Sequence, residues 1–358
     1  MKPRLLDYLC CPDCGGAFSI EVGEQENGEI ITGSLQCAAC SSYPIVDGIP
    51  RILRHARERL VGNGSGVGRF DELQRRTQRS FGFQWTRFAT LHQVFEEDFL
   101  NYIAPLQPEF FPGRLILDAG CGFGRHLYYA ATYGAEVVGV DLSAAIDRAQ
   151  RNTAHLPGVH LVQCDLYHLP FRPGTFDGVY SIGVLHHLPD PEAGFRNLLR
   201  VLKPDAPIVV WVYSSKRRGT NAALELVRGM TTRLPLPMVH ALAWGGALID
   251  WSGFIVWYRL LRRWPFMGEW VERHTWPRIK RYSRYPFEVC VADWLDRLSV
   301  PVRFYYDAEQ LRAWCARGAL TEAQVAPTGL YGWRVCGRRS QSRPGVVAQG
   351  VSGGMVVS

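Results

Sequence analysis

From Leu115 onward, short apolar runs alternate with helix-patterned stretches, and this alternation limits the fold more than any other feature. The runs are Leu115 to Asp118, Val137 to Asp141, His160 to Asp165, Phe176 to Ile182 and Ile208 to Tyr213. Strands of this length separated by helical segments are the pattern of a parallel sheet covered on both faces. Five of them in about a hundred residues predict a doubly wound, Rossmann-like α/β domain.

The first run ends in Asp118-Ala-Gly-Cys-Gly-Phe-Gly-Arg125, a glycine-rich turn directly between strand and helix. In an open parallel sheet ligands bind there, outside the carboxyl ends of the strands. Gly120, Gly122 and Gly124 allow backbone angles and close approaches that side chains forbid. The spacing is G-x-G-x-G, not the G-x-G-x-x-G of most dinucleotide sites. Alone, such a turn means only a tight connection. Asp141 and Asp165 at the next two strand ends add carboxylates suited to ribose hydroxyls and to an adenine amino group. One such acid often does no more than cap a helix; two in succession outline a site.

The ordered segments Asp118 to His126, Val138-Gly-Val-Asp-Leu-Ser143, Cys164-Asp165, Leu169-Pro-Phe171, Phe176 to Tyr180, Val184-Leu-His-His-Leu-Pro189 and Arg200-Val-Leu-Lys-Pro204 resemble the motifs of class I S-adenosylmethionine-dependent methyltransferases of the type 11 kind. The resemblance covers about Leu115 to Tyr213. It implies a seven-stranded sheet with S-adenosylmethionine on the strand ends. Asp118 and the backbone of Gly120, Cys121, Gly122 and Gly124 would face the methionine part. Asp141 with Leu142 would face the ribose, and Asp165 with Leu166 the adenine, with Ile182 alongside. Ser80 to Phe88 resembles the aromatic helix that related enzymes fold over the cofactor, although core packing would place aromatics there too. The chain departs from the family at Asp205-Ala206, where Gly-Gly is common, so that turn is expected to differ.

Methyl transfer from a sulfonium needs positioning and exclusion of water, and a general base only where the acceptor must lose a proton. His186 and His187 follow the fourth strand and Tyr213 ends the fifth, on the rim where the methyl group would project. His187 is the first candidate base, with His186 and Tyr213 beside it; a structural role is common for such a pair. Tyr305 and Tyr306 are further candidates for the pocket wall.

Ahead of this domain, Cys11-Pro-Asp-Cys14 and Cys37-Ala-Ala-Cys40 form two C-x-x-C knuckles 22 residues apart. Four thiolates in this pattern match tetrahedral Zn²⁺, and a closed four-cysteine site is structural. Glu21 to Ile31, with Asn27-Gly28 at the turn, reads as a hairpin between the knuckles. Cys10 adjoins the first knuckle, but the C-P-x-C form assigns Cys11. Leu5 to Cys14 together with Tyr43 to Pro50 resembles the small zinc-ribbon proteins that partner and activate methyltransferases, which implies an activator-like module fused to its enzyme.

The organisation that follows is a zinc ribbon at 1–54, a linker and covering helices at 55–110, the cofactor-binding core at 111–214, a helical insert after strand 5 at 215–293, a helix and closing strands at 294–339 and a disordered tail at 340–358. No leader opens the chain, so a cytoplasmic location is expected. The apolar stretch 234–258 contains Asp250, Pro235 and Pro237, which argues against a transmembrane span.

Between Lys216 and Arg284 stand 13 Lys and Arg against 4 Asp and Glu, together with six of the eleven tryptophans. This segment therefore carries the basic character. It suits an acceptor part apolar and part anionic, or peripheral contact with an anionic membrane, or a cap whose tryptophans form its own core. A small-molecule acceptor such as a glycan, polyketide or lipid-like intermediate leads. Methylation of an rRNA or tRNA base, and a non-catalytic cofactor-bound scaffold, are the alternatives.

Overall fold

The computed structural model describes residues 1–53, 69–329 and 331–341. The glycine-rich linker at 61–68 and all but the first residues of the tail lie outside them.

Among the described residues, eleven strands and eleven α-helices carry the fold. The N-terminal unit holds β1 (Phe18–Glu26), β2 (Glu29–Cys37), β3 (Ser42–Val46) and β4 (Ile49–Ile52). Asn27 and Gly28, at φ 50° and 80°, make the tight turn between β1 and β2. Helices α1 (Arg69–Arg87) and α2 (Val94–Ile103) follow. The core then runs β5 (Leu115–Ala119), α3 (Arg125–Thr132), β6 (Glu136–Asp141), α4 (Ile146–Thr153), β7 (Val159–Cys164), β8 (Gly178–Ile182), α5 (Pro191–Val201) and β9 (Pro207–Tyr213). The insert contributes α6 (Arg218–Thr231), α7 (Leu236–Leu261), α8 (Gly268–His274), α9 (Pro277–Tyr282) and α10 (Phe287–Ser299). α11 (Ala308–Arg317), β10 (Leu320–Thr328) and β11 (Gly332–Arg339) close the chain.

All eleven strands join in one sheet, in the order β1-β2-β3-β4-β7-β6-β5-β8-β9-β11-β10. The strands from β7 to β9 are mutually parallel, and β11 runs antiparallel to β9. The order reverses between β5 and β8, and the first glycine turn leaves β5 at that point. The expected seven-stranded sheet is thus lengthened by the ribbon, because β4 pairs in parallel with β7 through Arg51 opposite Gln163 and Ile52 opposite Cys164.

Side-chain packing makes the junction continuous. Leu5, Leu9, Phe18 and Leu35 of the ribbon share one apolar cluster with Val162, Cys164 and Leu166 of the core and with Leu198 and Leu311 of the helices on that face. Polar groups seal the seam. Lys2 donates to the carbonyls of Leu156, Pro157 and Val159 at 3.1, 2.8 and 3.0 Å, and Arg51 pairs with Asp147 at 2.6 Å. On the opposite face α2, α3 and α4 pack through Phe99, Leu127 and Ala149.

Two local expectations change. Asp205 adopts the left-handed φ of 61° that glycine would take, and its N–H donates to Arg339 O at 2.8 Å, so the turn absorbs the missing Gly-Gly pair. Pro235 and Pro237 stand at the start of α7, where a missing N–H costs nothing, and so do not break it. α7 therefore runs unbroken for 26 residues with a π-turn at Trp251–Ile255, and it is long and apolar enough to cross a membrane by length and composition. Asp250 does not interrupt the helix, because its carboxylate is neutralised inward, by Arg278 and by Trp294 Nε1 at 2.7 Å.

Candidate functional site

A cavity of about 910 Å³ opens over the C-terminal ends of β5, β6, β7 and β8. Gly120, Cys121 and Gly122 form one wall, with Asp141, Leu142, Asp165, Leu166 and Ile182 beside them. Gly120 is required to be glycine, since a Cβ there would come within 2.3 Å of Val184. A Cβ on Gly122 would stand 3.6 Å from the Trp85 ring, so bare backbone faces an indole across the groove. Gly124, at φ 86°, precedes α3 and packs on Ala149 rather than on the cavity.

The acids are held, not loose. Asp141 accepts from Gly122 N at 2.9 Å through one oxygen, and from Ser143 N and Oγ at 2.8 and 2.6 Å through the other. It thereby ties the glycine turn to the tip of β6. Asp165 accepts from Tyr167 N at 2.8 Å, which is the capping role, and from Gln74 Nε2 at 2.7 Å. Gln74 comes from α1 and was not singled out in the sequence.

Asp118 lies beneath the cavity, fully buried. Burial raises its pKa to about 8, with the Tyr180 hydroxyl working the other way, and its Oδ2 has no hydrogen-bond partner among the described residues. A buried carboxyl with one free oxygen under a glycine turn fits a ligand bearing an ammonium group. Arg125, next to the turn, stacks over Trp85 and Phe95 at 5.4 and 5.5 Å and makes no ion pair among the described residues, which fits a ligand carboxylate. With carboxylates at the next two strand tips that suit ribose hydroxyls and an adenine amino group, the donor set fits S-adenosylmethionine.

The far wall contains a polar network. His187 Nδ1 lies 2.8 Å from Val302 O, and its Nε2 stands 3.8 Å from Asp296 Oδ1. As carbonyl oxygens only accept, Nδ1 carries the proton and Nε2 the lone pair. Burial lowers the His187 pKa to about 4, against the pull of Asp296, so the ring is neutral at pH 7. Asp296 accepts from Tyr213 OH at 2.9 Å and from Arg303 Nη2 at 2.6 Å. Burial and then Asp296 raise the Tyr213 pKa, which holds its phenol protonated.

His187, Tyr213, Asp296 and Arg303 all reach the cavity, as do Phe81, Gln84 and Trp85 of α1 and Phe88 just after it. His186 does not line it; the ring is sealed between Tyr213 and His187, at centroid distances of 4.0 and 4.2 Å, with neither nitrogen bonded among the described residues. Of the two late tyrosines, Tyr305 lines the cavity, whereas Tyr306 packs in the core against Trp314. Asp296 and Arg303 were invisible in the sequence because they lie far along the chain from the motifs, with no spacing to mark them.

Below the ribbon hairpin, the Sγ atoms of Cys11, Cys14, Cys37 and Cys40 lie within 4.8 Å of one another. Zn–S bonds of about 2.3 Å in a tetrahedron place sulfurs roughly 3.8 Å apart, so the donor set fits zinc. Cys10 is outside it, buried, with its N–H donating to Pro170 O at 2.9 Å.

Residues 117–210 match the family described as methyltransferase domain, and residues 2–48 the family described as Trm112p-like protein. The core is a class I methyltransferase domain. Mouse (Mus musculus) probable tRNA methyltransferase 9B is 32% identical over 111 residues, which is 30% of this chain and 24% of the relative. Norajmaline N-methyltransferase of Rauvolfia serpentina is 33% identical over 112 residues, 30% of this chain and 38% of the relative. This chain thus spans well under half the length of these curated relatives. A chain in the solved complex between the Haloferax volcanii Trm112 methyltransferase activator and a methyltransferase aligns over 75% of this chain and 99% of its own, at 14% identity and a TM-score of 0.43.

Proposed function

We propose that this protein transfers a methyl group from S-adenosylmethionine to a small acceptor with an apolar body and an anionic group. The observation that carries the reading is a cavity in which the glycine turn and strand-tip acids of the methyltransferase core meet aromatic and cationic groups of the insert. Its volume lies near the upper end of the roughly 300–1,000 Å³ typical of ligand pockets, which leaves room beside the donor.

The bound donor supplies a methyl group on a sulfonium, given up by in-line displacement. Asp141 holds the ribose and orders the turn; Asp165, positioned by Gln74, receives the adenine edge. Asp118 and Arg125 receive the ammonium and carboxylate. The aromatics of α1 cover the donor and exclude water. On the acceptor side, Arg217 stacks on Tyr331 at 4.7 Å and makes no ion pair among the described residues, so it is free for an acceptor phosphate or carboxylate. His187 presents an unprotonated Nε2 to the acceptor, and Asp296 stabilises the imidazolium formed when a proton is taken up. His186 has no part in this step. Cys11, Cys14, Cys37 and Cys40 of the ribbon would hold zinc in a closed site, where it would serve the fold and not the methyl transfer.

Titration calorimetry with the donor and its demethylated product tests the cofactor reading. Asp141→Ala is expected to weaken binding about 100-fold, two charge-assisted hydrogen bonds being worth roughly 3 kcal/mol or more. Asp141→Asn should retain the turn and lose less. Unchanged affinity would refute the ribose assignment. Labelled donor offered to anionic amphipathic metabolites, with ribosomal and transfer RNA alongside, tests the acceptor. Label entering RNA with a steep salt dependence would turn the reading to the nucleic-acid alternative, and tight donor binding without any turnover would turn it to the scaffold.

A further inference from the structure

We propose that the outer face of α7 docks, lying flat, on an anionic phospholipid surface. The helix is about 39 Å long at 1.5 Å per residue and holds only two charged residues, Asp250 and Arg259. Both turn inward: Asp250 to Arg278 and Trp294, Arg259 to the carbonyls of Ser283 and Tyr285 at 2.9 and 3.0 Å. The outer face therefore presents no charge along its whole length. Met238, Leu242, Leu248, Ile249, Trp257 and Leu260 on it are each between 50% and 67% exposed. A folded chain rarely leaves so long an apolar strip in water.

The inner face decides how the helix meets lipid. Val239, Ala243, Ala247 and Ile255 pack on Cys290, Val291 and Leu295 of α10. α10 is bound in turn to α1, through Gln84 Nε2 to Ala292 O at 3.0 Å and Ser80 to Ser299 at 2.5 Å. A helix fixed along one side to the catalytic domain cannot thread a bilayer without tearing that contact, but it can sink its free side to the headgroup boundary.

Charge selects the occupant. Exposed Arg233 stands before the helix and exposed Arg262 and Arg263 after it; Arg262 also lies near Glu272 and Tyr258. A second copy seated on the same face would set these cations against one another, whereas anionic headgroups pair with them. The strip also leads to the site. α9 is tied to α7 by the Arg278–Asp250 pair, and Trp276 at its start is both 70% exposed and part of the cavity wall. Docking would thus bring the cavity's rim to the lipid, where an amphipathic acceptor resides.

Flotation of the full chain with vesicles of phosphatidylcholine, alone and mixed with phosphatidylglycerol, tests this without any acceptor. Binding is expected to the mixed vesicles and to weaken with salt. Arg262→Ala with Arg263→Ala should lower it roughly 30-fold, at about fivefold per cation. Ile249→Glu with Trp257→Glu should abolish it, while zinc content and donor calorimetry stay unchanged and show the fold intact. The proposal is overturned if the parent chain stays in solution with both vesicles. It is equally overturned if the glutamate pair instead dissociates a dimer seen by light scattering, or if carbonate fails to release the bound chain, which would mean a span.

Discussion

The ribbon and the insert are both additions to one sheet, and they dispose of their apolar residues in opposite ways. Leu5, Leu9 and Leu35 of the ribbon are buried in the cluster that also holds β7, so the module and the methyltransferase core share one interior. The insert has its own small cluster between α7 and α10 and leaves most of its large apolar side chains outside. An appended unit that merges its core with its host acts as part of the host's stability. One that keeps its apolar face outward keeps that face for something else.

Removing zinc should produce the largest effect. Structural zinc contributes on the order of 10 kcal/mol to modules of this size, and the shared interior passes the loss to the whole domain. Chelation, or Cys37→Ser, is expected to lower the thermal midpoint by more than about 10 °C, with metal analysis giving one zinc per chain beforehand. An unchanged midpoint would mean that the ribbon folds apart from the core, and the contrast would collapse.

Paired truncations sharpen the same contrast. Leu35→Ala removes a fully buried side chain and should cost about 2–5 kcal/mol in urea unfolding. Leu248→Ala, at a position 59% exposed, should stay within about 0.5 kcal/mol. Comparable losses at the two positions would show that the outer face of α7 is covered in solution.

Acidification should also destabilise, though by less than the buried rings alone would give, because Asp118, raised to about 8 by burial, contributes in the opposite sense. Burial lowers the pKa values of His126, His186 and His187 in the core, the last to about 4. Between pH 6.5 and 4 the unfolded chain takes up protons that the folded chain refuses, so this stability is present above 6.5 and is lost as pH falls. Urea midpoints should therefore drop from pH 7 to pH 5. A flat profile would place these rings in water.

The parts legible in the sequence were those written locally. Alternating apolar runs mark strands, Gly120 and Gly122 mark a turn, Asp141 and Asp165 end strands, and two C-x-x-C pairs mark a metal cluster. What escaped depends on the meeting of distant segments. Ile49 to Ile52 is too short to show a period, so nothing announced that it would join β7. Gln74, Asp296 and Arg303 reach the cavity only through the paths of α1 and α10. The apolar residues of α7 looked like a helix interrupted by prolines, because composition does not say which side a neighbour will cover.

The parallel pairing of β4 with β7 also has a consequence in time. Arg51 waits for Gln163, 112 residues later in the chain. At the roughly 5–20 residues per second of synthesis, the ribbon's last strand emerges on the order of ten seconds before its neighbour exists. During that interval the nascent module offers an open hydrogen-bonding margin to any extended peptide nearby, until β7 covers it.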